Sequence, residues 1–298
     1  MLPTAADSVG SPAGSVGEPT SAEPVVVPIR PMQFRELLDL PFALIQARIK
    51  TLAALLGVAV LIASTVAVAG TVLAALGTGN SDSGTLWGAV LVTLLCAWLI
   101  RLFVRGVTVP IGLSVVYRRP VTWREALRRL TAAAGPLLGY QVMYTLIGIG
   151  VLAVGTPLLF TVPLAVIWLA WLRGRRFTLV PVIFDQSAPY GVAARRARLL
   201  AGGTEWQLVG LWLYLRGLLL VLLVPLLALP QFAAEFSGTR RWTVTVLIIS
   251  AALLIVAIAE LVESAAQVVT YVDRRCRREA WDIRVPGSDI RVPGGSGR

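Results

Sequence analysis

The chain has 298 residues, of which 56% are hydrophobic and 14% are charged, and its mean hydropathy is +0.77. Soluble globular proteins are usually about 25% charged, and disordered chains are poor in apolar residues, so the composition excludes both classes for most of the chain. The sequence contains no His and two Cys. It therefore excludes His-based acid–base catalysis, His-ligated metal sites and a disulfide framework, and it predicts an integral membrane protein.

The two ends of the chain differ in composition from its centre. Residues 1–27 are rich in Ser, Pro, Ala and Gly, and their only charges are acidic. They lack the basic start and apolar run of a signal peptide, so we predict a disordered cytoplasmic tail. Residues 283–298 contain most of a short tandem repeat and are predicted to be a second disordered tail. Residues 28–282 are predicted to form one helical membrane domain.

An amphipathic helix is predicted before the first apolar stretch. Apolar residues recur at helical spacing from Phe34 to Ile49, and charged residues occupy much of the remaining surface. This pattern is typical of a helix that lies in the plane of the membrane surface. Pro41 is expected to kink it.

Six apolar stretches have the length or composition of membrane-spanning helices, which need roughly 20 mostly apolar residues. Their predicted bounds are about 51–77, 86–104, 136–154, 157–172, 206–230 and 242–269. The fourth is short and is separated from the third by Gly155 and Thr156 alone. The third and fourth stretches therefore form either two crossing helices or a re-entrant hairpin that enters and leaves from one side.

The positions of the basic residues predict the orientation. Nearly all 27 of them fall before the first span, after the second, after the fourth and in the C-terminal tail. The predicted outer loops carry only Arg240 and Arg241, and Arg101 and Arg216 lie within spans. By the positive-inside rule, both termini are cytoplasmic in a multi-pass protein of the cell (inner) membrane.

Two further helices are predicted on the cytoplasmic side. Thr122-Trp-Arg-Glu125 matches a capping box and predicts a short basic helix from about Trp123. A second helix is predicted over about 189–201, with Ser187 as its candidate N-cap. These basic helices either rest against anionic headgroups, at about 1 kcal/mol for each basic residue, or form a binding surface for a phosphorylated lipid or a soluble partner. Nucleic acid is not expected as a partner, because the charge is spread along the membrane boundaries.

Ionisable residues within the last two spans form the candidate polar site. Arg216 and Glu260 each lie about ten residues, or about 15 Å, from the inner end of their span, and we predict that they form an ion pair. Glu260, Glu263, Gln267 and Tyr271 share one stripe of a helix. The stripe forms either a polar cavity for a headgroup, ion or proton, or a structural pair that fixes helix packing. The third span adds polar residues at the same end: Tyr140, Gln141, Tyr144 and Thr145.

Three segments resemble those of a known group of membrane proteins. Pro28-Ile-Arg-Pro-Met-Gln-Phe-Arg-Glu-Leu-Leu-Asp39 resembles the motif PLRPL-x-x-x-EILDG of multi-pass actinobacterial membrane proteins. These are similar to the membrane domain attached to some glycerophosphoryl diester phosphodiesterases. Residues 271–282 resemble the ending of that group, and residues 193–206 resemble its segment between spans four and five. Leu40 and Ala280 stand where Gly is usual. The resemblance implies a helical membrane module without the phosphodiesterase domain and its chemistry.

The two end motifs place charges of both signs on the predicted cytoplasmic face. The residues are Arg30, Glu36, Asp39, Asp273, Arg275, Arg277 and Glu279. We expect the two ends to dock to each other through ion pairs and so to close the bundle. Exposed pairs contribute only about 0–1 kcal/mol each, so a network or partial burial is required.

The sequence thus predicts an all-α membrane protein, a bundle of about six transmembrane helices with cytoplasmic amphipathic helices. It contains no phosphate loop, dinucleotide fingerprint or nucleophile elbow, so we expect no enzyme, no cofactor and no metal. The favoured function is a non-catalytic integral membrane module that organises lipids with anionic headgroups or an unknown protein partner. The alternative is a transporter or lipid-translocating protein that uses Arg216, Glu260, Glu263 and Gln267, although the usual internal inverted repeat is not visible.

Overall fold

The computed structural model describes residues 27–119, 121–155, 161–237 and 241–279. The two predicted tails lie outside these residues, apart from Val27, which is buried in the core. All regular secondary structure in the described residues is helical. The helices are α1 (Phe34–Ala47), α2 (Ile49–Gly77), α3 (Asp82–Val116), α4 (Trp123–Ala132), α5 (Ala134–Gly155), α6 (Val162–Gly174), α7 (Leu179–Gln186), α8 (Tyr190–Ala201), α9 (Glu205–Ser237) and α10 (Arg241–Glu279).

Five of these helices are long and apolar enough to cross a membrane: α2, α3, α5, α9 over Glu205–Pro225 and α10 over Trp242–Glu279. They coincide with five of the six predicted spans and confirm an all-α membrane protein. The fourth predicted span is different, because its described part, α6, has 13 residues. This helix is about 20 Å long, shorter than the roughly 30 Å hydrocarbon core. It packs antiparallel to α5, with Gly155 against Ala165.

Burial divides the bundle into two zones. In the apolar zone, formed by α2, α5, α6, most of α9 and the N-terminal parts of α3 and α10, large aliphatic side chains face outward. Leu61, Leu73 and Val221 are each 68–70% exposed, which suits contact with lipid and not with water. The basic zone consists of α1, α4, α7 and α8 packed around residues 104–116 of α3 and 259–279 of α10. Residues 104–114 and 259–274 are buried without interruption, so α3 and α10 form the centre of this zone.

The local signals at the start of α4 behave as predicted. The Thr122 hydroxyl accepts a hydrogen bond from the Glu125 N–H at 3.3 Å, which satisfies one of the free donors at the start of that helix. The predicted helix over about 189–201 is confirmed as α8. Its predicted cap is wrong, because Ser187 ends α7 in the left-handed conformation (φ 48°), and Pro189 occupies the N-cap position.

The predicted amphipathic helix is confirmed as α1, but its apolar face is covered by protein. Leu37, Pro41 and Leu44 are buried, and α1 packs mainly against the basic end of α10. The first helix therefore joins the core of the basic zone, and Pro41 lies inside a continuous helical segment.

Candidate functional site

Six charged side chains from four helices meet where the apolar and basic zones join. We name them the charge cluster. They are Arg101 and Arg105 of α3, Arg173 of α6, Arg216 of α9, and Glu260 and Glu263 of α10. The two glutamates are three positions apart, so they lie side by side on one face of α10.

Glu260 binds the two arginines of α3. Arg105 Nε donates to one carboxylate oxygen at 2.7 Å, and Arg101 Nε donates to the other at 3.1 Å. Arg101 and Arg105 are four positions apart, so both reach the same face of α3. The side chains of Arg105 and Glu260 are only 2% and 1% exposed, so this pair is removed from solvent.

Glu263 binds two arginines from different helices. Arg173 Nη2 of α6 donates to Oε1 at 2.8 Å, and Arg216 Nη2 of α9 donates to Oε2. The predicted ion pair between Arg216 and Glu260 is therefore wrong. The arginines of α3 occupy both oxygens of Glu260, and α9 lies beside the next turn of α10, at Glu263.

Polar and aromatic residues of α5 line one side of the cluster. Arg105 Nη1 donates to Gln141 Oε1 at 3.0 Å, and the Arg105 guanidinium lies 4.9 Å from the centre of the Tyr140 ring. The Arg173 guanidinium lies 5.3 Å from the centre of the Tyr144 ring. Such cation–π contacts are attractive and strengthen when water is excluded. Tyr140, Gln141 and Tyr144 of the predicted third span thus form one wall of the site. The fourth polar residue of that span, Thr145, accepts a hydrogen bond from Trp98 Nε1 at 2.9 Å.

The cluster lies close to one edge of the apolar zone. Trp87 precedes Arg105, and Trp242 precedes Glu260, by the same 18 positions, or about 27 Å along a helix. Trp prefers the membrane interface, and the hydrocarbon core is about 30 Å thick. These distances place the cluster toward the end of the apolar zone away from Trp87 and Trp242, and Arg216 lies ten residues, or about 15 Å, after Trp206 at the start of α9. The predicted depth of about 15 Å stays a prediction.

The arginines differ in exposure. The side chains of Arg105 and Arg173 are 2% and 11% exposed, whereas those of Arg101 and Arg216 are 32% and 29% exposed. Arg101 and Arg216 open into a groove of about 180 Å³ between α3, α9 and α10. We name it the α9–α10 groove. Its other lining residues are apolar: Leu219, Leu220, Leu223, Ile255, Val256 and Ala259.

The predicted polar stripe continues beyond the cluster along α10. Gln267 is buried, and its amide oxygen and nitrogen have no hydrogen-bond partner among the described residues. One turn further, Tyr271 donates to Asp185 Oδ2 at 2.6 Å, and Arg275 Nη1 lies 2.9 Å from the same oxygen. Tyr117, which directly follows α3, also donates to Asp185. Burial, together with this hydrogen bond, raises the pKa of Tyr117 above its usual value. One buried face of α10 therefore carries two separate polar groups: the charge cluster, and the group formed by Tyr271 and Arg275 with Asp185.

The two end motifs meet in the basic zone. Asp273 Oδ1 accepts a hydrogen bond from the Met32 N–H at 2.8 Å, and Arg277 donates to the Met32 carbonyl. Arg277 Nε also binds Asp273 at 2.9 Å. The two motifs thus contact each other, but the contacts among the described residues are hydrogen bonds with the Met32 backbone and not the predicted ion pairs between charged side chains.

Arg30, Glu36 and Glu279 pair with residues other than those of the opposite end motif. Arg30 pairs with Glu36 at 2.5 Å within the N-terminal segment, and a hydrogen bond from the Gln33 backbone N–H, with help from Arg30, lowers the pKa of Glu36. Glu279 pairs with Arg275 at 3.1 Å and with Arg196 of α8. Asp39 is exposed on α1.

Within the described ranges, no group of three His, Cys, Asp or Glu side chains could hold a metal ion. No family model matches the chain, and no curated protein or solved structure matches it. The resemblance to the membrane domain of glycerophosphoryl diester phosphodiesterases therefore stays a prediction.

Proposed function

We propose that the protein is a non-catalytic integral membrane module that organises anionic phospholipids at the cytoplasmic side of the cell membrane. One observation carries the proposal. The charge cluster holds four arginines and two glutamates, so two positive charges are uncompensated beside a groove that is otherwise apolar.

The charge imbalance is more than helix packing requires. Removing charged groups from water is expensive, and a buried pair repays that cost only with good geometry and full hydrogen bonding. One Arg–Glu pair on each side of α10 would fix its neighbours with no net charge. Arg101 and Arg216 add positive charge where the apolar zone meets the basic zone, and lipid phosphates lie at such a boundary between hydrocarbon and polar surroundings.

The surface of the basic zone supports the same function. Arg124, Arg128 and Arg129 lie on α4, and Arg195 and Arg198 lie on α8. Each basic residue close to an anionic leaflet contributes about 1 kcal/mol of attraction. These residues would enrich anionic lipid around the bundle, and the charge cluster would hold it.

The test is the lipid composition that remains around the purified protein. The protein is reconstituted in nanodiscs of phosphatidylcholine with a minority of phosphatidylglycerol, extracted in mild detergent, and its retained lipid is measured by mass spectrometry. We expect phosphatidylglycerol to be retained well above its share of the nanodisc, including at 0.5 M salt, where exposed charges are largely screened (the Debye length is about 10 Å at 0.1 M and 3 Å at 1 M). A retained composition equal to that of the nanodisc would refute the proposal.

A second measurement separates this function from lipid translocation, which the sequence left open. In proteoliposomes that carry a fluorescent phospholipid, a module that holds lipid leaves transbilayer movement at the rate of protein-free vesicles. Protein-dependent movement would favour the alternative.

A further inference from the structure

We infer that Arg101 and Arg216 clamp the phosphate of one anionic phospholipid whose acyl chain lies along the α9–α10 groove. This inference rests on the proposed function and names its ligand and its binding site. It follows from the free donors of the two arginines, the net charge of the cluster and the chemistry of the groove.

Both arginines keep donors for a second anion. The described contacts with glutamate use Nε of Arg101 and Nη2 of Arg216. A guanidinium carries five N–H donors in a planar fork that matches phosphate oxygens. Because each side chain is about 30% exposed at the groove, the remaining donors have access to a ligand there.

The two glutamates prepare the arginines for binding. Glu260 holds Arg101, and Glu263 holds Arg216, so neither side chain has to be ordered when the ligand arrives. Ordering costs of this kind reduce affinity when a site is not prepared in advance. The phosphodiester of phosphatidylglycerol carries one negative charge, so it would neutralise one of the two uncompensated positive charges.

The apolar part of the groove selects a ligand that already resides in the membrane. Leu219, Leu220 and Leu223 of α9 face Ile255, Val256 and Ala259 of α10 along the groove. An acyl chain gains little hydrophobic energy there, because the bilayer is equally apolar. Free phosphate would satisfy the arginines but leave this surface to other lipid tails, whereas a phospholipid covers both parts.

The first arm of the test removes the clamp. Arg101→Gln with Arg216→Gln is compared with Arg35→Gln with Arg48→Gln, which remove the same charge from exposed positions on and directly after α1. Both proteins are placed in nanodiscs of phosphatidylcholine with a minority of phosphatidylglycerol and examined by native mass spectrometry. We expect retention of one phosphatidylglycerol to fall about tenfold or more in the first variant, since one hydrogen bond to a charged group is worth at least about that factor. The variant at Arg35 and Arg48 should retain it as the wild type does.

The second arm blocks the groove and leaves the charge cluster intact, so it decides the matter even if loss of the arginines impairs folding. Leu223→Trp fills the lining, while Leu222→Trp places the same ring on the neighbouring position, which is 53% exposed and does not line the groove. We expect Leu223→Trp to lose the bound phosphatidylglycerol and Leu222→Trp to keep it. Retention by Leu223→Trp would overturn the inference.

The outcomes for the inference and for the proposed function are distinct. If the wild type retains no excess phosphatidylglycerol, both fail. If the wild type retains it and Leu223→Trp does so equally, the site is wrong and the proposed function stands. Inorganic phosphate should not displace the lipid at millimolar concentration. Displacement by phosphate would identify a site for free anions and would also overturn the inference.

Discussion

Glu260→Gln tests whether the charge cluster holds the bundle together. The carboxylate of Glu260 accepts from Arg105 at 2.7 Å and from Arg101 at 3.1 Å, and both Glu260 and Arg105 are almost fully enclosed. Removing one partner of a buried pair costs about 3–5 kcal/mol, because the remaining charge is left uncompensated. The amide oxygen of the Gln still accepts one hydrogen bond, so we expect the unfolding free energy to fall by about 3 kcal/mol.

The matched control removes a carboxylate that binds two arginines outside the apolar zone. Glu125 pairs with Arg128 at 2.6 Å and with Arg129 at 3.0 Å, and these arginine side chains are 78% and 47% exposed. Exposed pairs contribute about 0–1 kcal/mol, so Glu125→Gln should cost less than about 1 kcal/mol. Both variants are unfolded in mixed micelles of increasing denaturing detergent and followed by circular dichroism at the helix band. If the two variants lose equal stability, the cluster does not hold the bundle, and our account of it is wrong.

Two further predictions concern the partners of α10 and the packing of α3. In double-mutant cycles of the unfolding free energy, Arg216→Gln should couple with Glu263→Gln by about 0.5–3 kcal/mol, the range for residues in contact. Its coupling with Glu260→Gln should be smaller. Equal coupling with both glutamates would contradict the observed pairing. A methyl group on Gly88 would overlap the Cβ of Ala74, whereas one on Gly57 meets no atom within 4 Å. Gly88→Ala should therefore lower the unfolding free energy by about 1–3 kcal/mol. The control Gly57→Ala should be neutral or stabilising by up to about 1 kcal/mol. A neutral Gly88→Ala would show that α2 and α3 do not pack at this position.

The fold was largely predictable because the main signals are local. Hydropathy placed the starts of five spans within a few residues of the starts of α2, α3, α5, α9 and α10, and the capping box placed the start of α4. The helices α3, α9 and α10 continue beyond the predicted ends of their spans. The two exceptions, α7 and the cap of α8, lack a decisive local pattern in the sequence. The eight-residue helix α7 is too short for a periodic signal, and Ser187 was a plausible cap until α7 placed it in the left-handed conformation.

The site was only partly predictable, because a hydropathy boundary concealed two of its residues. The hydropathy pattern ends the second predicted span at residue 104 and the fourth at residue 172. It therefore assigns Arg105 and Arg173 to the connections between spans. A charged residue lowers the local hydropathy and so marks the end of an apolar stretch. The helix itself can continue past that residue, as α3 does to Val116. The useful signal was the spacing of Arg101 and Arg105, four positions apart and opposite a predicted acidic stripe.

The two pairs of arginines carry separable roles in one network. Arg105 and Arg173 are enclosed and bind Glu260 and Glu263, so they fix α3 and α6 against α10. Arg101 and Arg216 bind the same two carboxylates from the side of the groove. Because each glutamate is shared, an anion bound by Arg101 and Arg216 acts on the same two carboxylates that hold the enclosed arginines. Lipid binding and bundle stability should therefore be linked, and phosphatidylglycerol should stabilise the wild type against unfolding more than it stabilises Leu223→Trp.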